Sequence, residues 1–249
     1  MPRTLMGGTG LSPSTVFQRN EKKYILTQAQ RVALLDRQAE ELREDVYGRY
    51  AIRNIYFDTP DYLLARRSLE KPYFKEKLRM RSYGAPSEGC GVFLEMKRKC
   101  GGTTYKRREC LNQAAYREFL STGHFSCVGE QIGRELDYFC TLYPLVPRVF
   151  LAYEREAYVG TKDGNLRLTF DTNVRARTSR LELDGAPEGA PLMDEDMVLM
   201  EVKAPCALPL SFVHAFEELG ICGASFSKYG AAYREILREG GEIVCSRVS

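Results

Sequence analysis

Residues 73–84 alternate so regularly that an extended strand is the conformation that sorts them: Lys75, Lys77, Arg79 and Arg81 occupy every second position. Successive side chains of a strand point to opposite faces, so these cations form one row of ~20 Å, with Phe74, Leu78, Met80 and Glu76 on the other side. Such a row repels itself unless an anion lies along it. The same grammar recurs downstream. Glu95, Lys97 and Lys99 oppose Leu94 and Met96, and Lys106 shares a face with Arg108. Arg155 follows Val149, Leu151 and Tyr153 on one face. Arg167, Thr169, Asp171 and Arg175 oppose Leu166, Leu168, Phe170 and Val174, and Glu201 and Lys203 oppose Val198, Met200 and Val202.

A solvated sheet face normally mixes both signs with Ser, Thr, Asn and Gln. Here most charged positions are Lys or Arg, with carboxylates placed singly. The pattern predicts an α+β fold of about eight strands, mostly antiparallel, in a sheet curled so that its cations converge on a central cavity while its apolar face packs outward against helices.

The elements follow. A first strand is expected over Val16–Leu26 and a helix from Gln28 to Arg43 with Thr27 as N-cap. A strand over Arg49–Asp58 and a short helix opened by Pro60 and running to Leu69 come next. Tyr73–Gly84, Gly91–Lys99 and Thr103–Cys110 read as a meander, joined by turns rich in Gly, Pro and Ser. Helices are expected over Asn112–Leu120 and Cys127–Leu142, strands over Arg148–Gly160, Asn165–Arg177 and Met197–Ala204, a loop over 184–195, and helices over Pro209–Leu219 and Ser227–Glu239. Charge-bearing strands lie throughout, so one domain is expected over 16–240, with loose tails at 1–15 and 241–249.

Composition narrows the function classes. No apolar run is long enough to span a bilayer and the N-terminus lacks a signal-peptide core, so the expected location is cytoplasmic. The eight cysteines contain no C-x-x-C pair and there are only two histidines, which leaves no zinc spacing. Reduced thiols are the expected state. Net charge is only +3, yet residues 71–110 hold eleven Lys/Arg against four Asp/Glu. That concentration suits a compact polyanion better than nucleic acid, and no aromatic residues are interleaved as a base-stacking platform.

Phosphate fits these side chains. Arg offers a planar two-point donor and Lys a movable point charge. Glycine-rich phosphate loops are absent, so side chains must do the binding. Glu95, Asp171 and Glu201 share faces with the cations. Each is either an ion-pair partner or a ligand for Mg2+ or Mn2+ bridging to substrate phosphates.

The segments E-K-K-Y-I-L-T (21–27), R-N-I-Y-F-D-T-P (53–60), K-E-K-L-R-M-R-S-Y-G (75–84), F-L-E-M-K-R-K (93–99), Y-K-R-R (105–108), L-M-E-V-K (199–203) and F-S-K-Y (226–229) together resemble the VTC domain. That is the catalytic domain of the vacuolar transporter chaperone, a polyphosphate polymerase of the triphosphate tunnel superfamily. The resemblance runs from about residue 16 to 238. It implies an eight-stranded antiparallel β tunnel closed as a barrel, a nucleoside triphosphate held by its phosphates, and a divalent metal, often Mn2+. It also implies that Lys23, Arg79, Arg81, Lys97, Lys106, Arg108, Arg155 and Arg167 contact phosphate, that Glu201 is a metal ligand, and that Lys203 and Lys228 belong to the basic wall. Lys23 and Lys228 enter on the resemblance alone. Lys75 and Lys77 enter on the alternation. Arg79, Arg81, Lys97 and Glu201 are the expected catalytic set.

Two departures matter. Wider members of the superfamily begin with E-x-E-x-K, whereas this chain keeps only Glu21-x-Lys23. It also resembles a stand-alone form of bacterial style, without the phosphate-sensing and membrane-spanning parts of the eukaryotic complex. The leading expectation is transfer of the γ-phosphoryl group of ATP onto inorganic polyphosphate. The alternatives are a triphosphatase acting on tripolyphosphate or a nucleoside triphosphate, and a non-catalytic polyphosphate-binding module.

Overall fold

The computed structural model describes residues 20–70, 72–86, 91–101, 103–123, 131–205 and 207–240. The expected tails, the start of the first strand and the first residues of the helix from Cys127 lie outside them. Strand β1 (Asn20–Thr27) leads into helix α1 (Gln28–Arg37), β2 (Leu42–Asp58) and α2 (Leu63–Leu69). The meander follows as β3 (Phe74–Tyr83), β4 (Val92–Cys100) and β5 (Thr103–Leu111), then α3 (Gln113–Thr122) and α4 (Gln131–Leu142). The chain continues through β6 (Val146–Gly160), β7 (Arg167–Arg177), the two-residue β8 (Ala190–Pro191), β9 (Met197–Ala204), α5 (Leu210–Glu218) and α6 (Lys228–Arg238).

The strands form one antiparallel sheet in the order β1-β9-β7-β6-β2-β3-β4-β5, with β8 pairing β7. The expected closure into a barrel is not found: among the described residues β1 and β5 share no ladder. The outer edge of β1 is taken instead by the chain before α6, where Ala224 N–H donates to Lys23 O at 2.7 Å and Tyr24 bridges Gly223. The two sides of the sheet still approach, because Glu21 on β1 pairs with Lys97 on β4 at 3.9 Å.

The outer face carries the core that the alternation implies. Leu78 and Met80 of β3 and Leu94 and Met96 of β4 pack with Tyr116, Phe119, Leu136 and Phe139 of α3 and α4. Leu26, Leu168, Phe170, Val198 and Met200 pack with Leu34, Phe212 and Phe216 of α1 and α5. Burial of a side chain of this size contributes ~1.5–3 kcal/mol, so these two layers hold the helices to the sheet.

One helix departs from the expected outer packing. Ile52 and Tyr56 of β2 and Val149, Leu151 and Tyr153 of β6 cluster with Tyr229, Ala232, Tyr233 and Ile236 of α6. These strand positions alternate with the outward Ile55 and Phe150, so α6 lies on the concave face. It covers the apolar half of that face and leaves the charged half open.

Local chemistry explains the shifted boundaries. Thr27 and Gln30 form a reciprocal capping box at the start of α1, as the sequence predicts. The helix ends at Arg37 rather than at Arg43, because Leu42 is drawn into the core and residues 42–50 pair with β6 around a bulge. α2 begins at Leu63, not at Pro60. Asp58 accepts from the backbone N–H of Leu64 and Ala65 at 2.8 and 2.9 Å, and Thr59 Oγ1 accepts from that of Leu63 at 2.9 Å. On β7, Asn173 sits at φ 51°. The strand changes parity there, so Val174 joins the concave-face cluster and not the one holding Leu168 and Phe170. The expected pairing of Val174 with those outward residues is thereby overturned.

Candidate phosphate-binding chamber

The charged half of the concave face encloses a chamber of about 270 Å3. β1 supplies Glu21 and Lys23, β3 supplies Lys77, Arg79 and Arg81, and β4 and β5 supply Glu95, Lys97 and Lys106. Arg155, Glu201, Lys203 and Lys228 complete the charged wall from β6, β9 and α6. Eleven of the expected site residues therefore meet in one space. Lys75 lines an adjoining cavity instead. Arg108 reaches the chamber only through Glu95, and Asp171 lies beneath it. Arg167 is half-exposed and pairs with Asp45, away from the chamber lining.

Two carboxylates organise the cations. Glu95 is 2% exposed and surrounded by four of them. Its Oε2 accepts from Arg79 Nε and Nη2 at 2.9 and 2.7 Å, while Oε1 accepts from Arg108 Nε at 2.6 Å and pairs with Lys106 Nζ at 2.7 Å. Burial would raise its pKa, but Arg79, Arg81 and Lys106 outweigh that and hold it below the usual carboxylate range. Asp171, fully buried, does the same below the opposite wall. Arg155 donates to both its oxygens at 2.6 and 2.7 Å, and Lys228 Nζ donates to Oδ2 at 2.5 Å. Burial alone would depress Lys228, but Asp171 and Glu201 raise it above the ordinary lysine value.

Glu201 is held differently. Lys23, Lys228 and Arg155 lie 3.3, 3.6 and 3.8 Å away, contacts looser than hydrogen bonds. Its pKa falls well below the ordinary value because Lys228, Lys23 and Arg155 outweigh the opposing effect of burial. It is an ionised carboxylate facing the chamber without a close donor.

This difference decides which groups could carry a divalent ion. Both oxygens of Glu95 and of Asp171 are engaged by cations, so neither fits the expected role of metal ligand, and both are ion-pair centres. Glu201 fits. Among the described residues no three His, Cys, Asp or Glu side chains cluster as a ready-made cage. An ion at Glu201 would take its other ligands from water and phosphate oxygens, the habit of Mg2+.

The sequence reading missed the phenols. Tyr56 and Tyr229 stack with centroids 4.5 Å apart in the chamber floor, beside Tyr153. Arg79 Nη1 donates to Tyr56 Oη at 3.2 Å, and Arg81 donates to Asn54 Oδ1 and Tyr153 Oη at 3.0 and 3.1 Å. Burial would raise the Tyr56 phenol, yet Arg79, Lys77 and Arg81 bring it down to about 8. Burial, aided by Lys23, Lys75 and Lys97, brings the Lys77 ammonium down to about 8 as well. Lys77 Nζ donates to Ser227 Oγ at 3.0 Å, which ties β3 to the N-cap of α6. Tyr56 shares a face with Ile52 and Asn54, and Tyr229 closes F-S-K-Y, so both signals were present but were spent on strand and motif assignment.

A sequence profile of the VTC domain matches residues 18–237. No curated protein matches the chain by sequence. Among solved structures it is similar to a Bacillus halodurans protein provisionally assigned as an adenylate cyclase, with a TM-score of 0.53 and 16% identity over 88% of this chain and 95% of that one. A Hippeastrum protein, provisionally assigned as an adenylyl cyclase and described as having dominant triphosphatase activity, aligns with a TM-score of 0.50 and 16% identity, covering 89% of this chain and 95% of that one. At this identity the likeness speaks for the fold alone. Among the described residues no helix is long and apolar enough to cross a membrane.

Proposed function

The chain belongs to the VTC domain family, and from that premise we propose that it is a polyphosphate polymerase, transferring the γ-phosphoryl group of ATP to inorganic polyphosphate. The family includes polyphosphate polymerases and triphosphatases, and its members are usually phosphate-handling enzymes that use divalent metals. The observation that carries the finer reading is a cation-lined chamber whose arginines are pre-set by buried carboxylates while Glu201 faces the space without a close donor.

Phosphoryl transfer passes through a loose transition state, so positioning and charge neutralisation supply most of the catalysis. Glu95 fixes the Arg79 fork, and Asn54 and Tyr153 fix that of Arg81, so two planar donors are oriented before substrate arrives. Lys97 and Lys106 supply movable charge on the next two strands, and Lys23, Arg155, Lys203 and Lys228 line the opposite wall. The terminal phosphate of the acceptor is the attacking group, and no protein side chain is needed as a covalent nucleophile. Mn2+ or Mg2+ held at Glu201 would supply further neutralisation of charge on the transferring group.

Hydrolysis of a triphosphate is the second reading. Glu21, which lines the chamber, favours it, while the shortened E-x-E-x-K motif argues against it by leaving fewer acids to hold metal and activate water. Following label from the γ-position of ATP separates the two. Appearance in chains resolved by electrophoresis supports polymerase, and appearance in orthophosphate alone overturns it.

A further inference from the structure

The cation row of β3 changes chemistry at one end of the chamber. Lys75, Lys77, Arg79 and Arg81 share the concave face, and the next residue on that face is Tyr83. The row of β4 changes in the same place. Lys97 and Glu95 give way to Phe93, which lies opposite Arg81. Tyr50 of β2, opposite Arg155 of β6, completes the group. These three rings are far apart in the sequence, and only strand register gathers them.

Tyr83 sits at the centre. Its ring meets those of Tyr50 and Phe93 edge to face, with centroids 5.8 and 5.9 Å away. Arg108 lies over the Phe93 ring at 4.5 Å, and its Nη2 donates to Tyr83 Oη at 3.0 Å while its Nε donates to Glu95 at 2.6 Å. One guanidinium therefore ties the rings to the carboxylate that orients the chamber's arginines. The cluster is not core: Tyr83 is 39% exposed, and Tyr50 and Phe93 are half-buried. Contiguous exposed apolar surface of this kind marks a contact site, whereas single exposed rings do not.

Charge decides which part of a ligand belongs here. Cations line the wall as far as Arg81, so phosphates are held on that side. Beyond it the wall offers aromatic rings, which gain little from phosphate and stack well on a flat, uncharged base.

We propose that Tyr50, Tyr83 and Phe93 form a seat for the base of a nucleoside triphosphate whose phosphates occupy the chamber, so that the nucleoside itself contributes to affinity. Tyr83 is the stacking residue, and Tyr50 and Phe93 position its ring. The proposal rests on the reading that the chamber takes the phosphates of ATP, and it adds recognition of the base to that reading.

Calorimetric titration without metal tests it, with ATP and inorganic tripolyphosphate as probes. Tyr83→Leu keeps an apolar side chain and removes the ring. It should weaken ATP binding about tenfold, within the range for one stacked base, and tripolyphosphate binding less than about twofold. Tyr83→Phe keeps the ring and should hold ATP within about twofold of the wild type, although the hydrogen bond from Arg108 is lost. Equal loss for both probes, or unchanged ATP affinity in Tyr83→Leu, overturns the seat. Should Tyr83→Leu not fold, saturation-transfer NMR of the wild type with ATP decides. Strong transfer to adenine H2 and H8 supports the seat, and transfer to the ribose alone, or none, overturns it. Because no turnover enters, ring-dependent ATP binding without polyphosphate synthesis would overturn the polymerase and leave the seat standing. Synthesis with ring-independent ATP binding would do the reverse.

Discussion

Glu95 grips Arg79 through two hydrogen bonds to one oxygen, at 2.9 and 2.7 Å, within the alternating cation row of β3. A buried carboxylate thus occupies, in the absence of substrate, the electrostatic place that phosphate would share.

Removing that carboxylate should destabilise the free protein and increase its response to ligand. Glu95→Ala leaves Arg79, Arg81, Lys106 and Arg108 facing one another, and breaking a buried ion pair from one side costs ~3–5 kcal/mol. Thermal melts should show a lower Tm and a larger rise on adding tripolyphosphate than in the wild type. A ligand-induced rise no larger than the wild type's would contradict the role of Glu95 as a stand-in anion.

Glu201 has the opposite assignment. Glu201→Ala removes a negative charge from the chamber, so metal-free tripolyphosphate binding should be retained or strengthened. Metal-dependent turnover should fall by ~100-fold or more, the scale of losing one transition-state electrostatic contact. Full activity in the variant, measured as ADP release, would remove Glu201 from the metal role.

The chamber should also respond to pH near 8. Lys77 is charged below its pKa of about 8 and neutral above it, and Tyr56 becomes negative as pH rises through about 8. Both changes subtract positive charge, so tripolyphosphate affinity should fall as pH climbs through that value, with proton uptake on binding. Lys77→Arg should shift the fall upward, since guanidinium stays charged. A flat profile in titrations across this range would contradict the assignment.

A structural link ties the chamber floor to the fold. Asp58 accepts from the backbone N–H of Thr59, Leu64 and Ala65 and from Tyr229 Oη at 2.7 Å. Asp58→Ala strips a helix cap and leaves buried donors unpaired, for ~2–4 kcal/mol, whereas Tyr229→Phe loses one hydrogen bond, for ~1 kcal/mol. Denaturant unfolding should rank them in that order, and equal losses would contradict the shared-hub reading.

The sheet was legible in the sequence wherever one face is apolar and the other charged. β3, β4, β5 and β9 therefore emerge close to their observed limits, and Met197–Ala204 matches in full. Residues 42–48 were not legible, because most of them are solvated and their run carries no period of two. The parity switch at Asn173 depends on one positive φ that no local pattern announces. Lack of closure and the inward seat of α6 are tertiary outcomes: the segment at 223–224 competes for the edge of β1, and Tyr229 must reach Asp58 across 171 residues. The chamber's cations were visible because they alternate. Which carboxylates they would capture was not, since Glu95 and Glu201 carry similar local sequence but meet different numbers of close donors.

The most direct test of the polymerase reading is phosphorus NMR of the purified chain incubated with ATP and Mn2+. The account predicts ADP together with resonances of internal polyphosphate units, which no hydrolase produces. Orthophosphate as the sole phosphorus product beside ADP would contradict it in favour of a triphosphatase, and unchanged ATP would reduce the chamber to a polyanion-binding site.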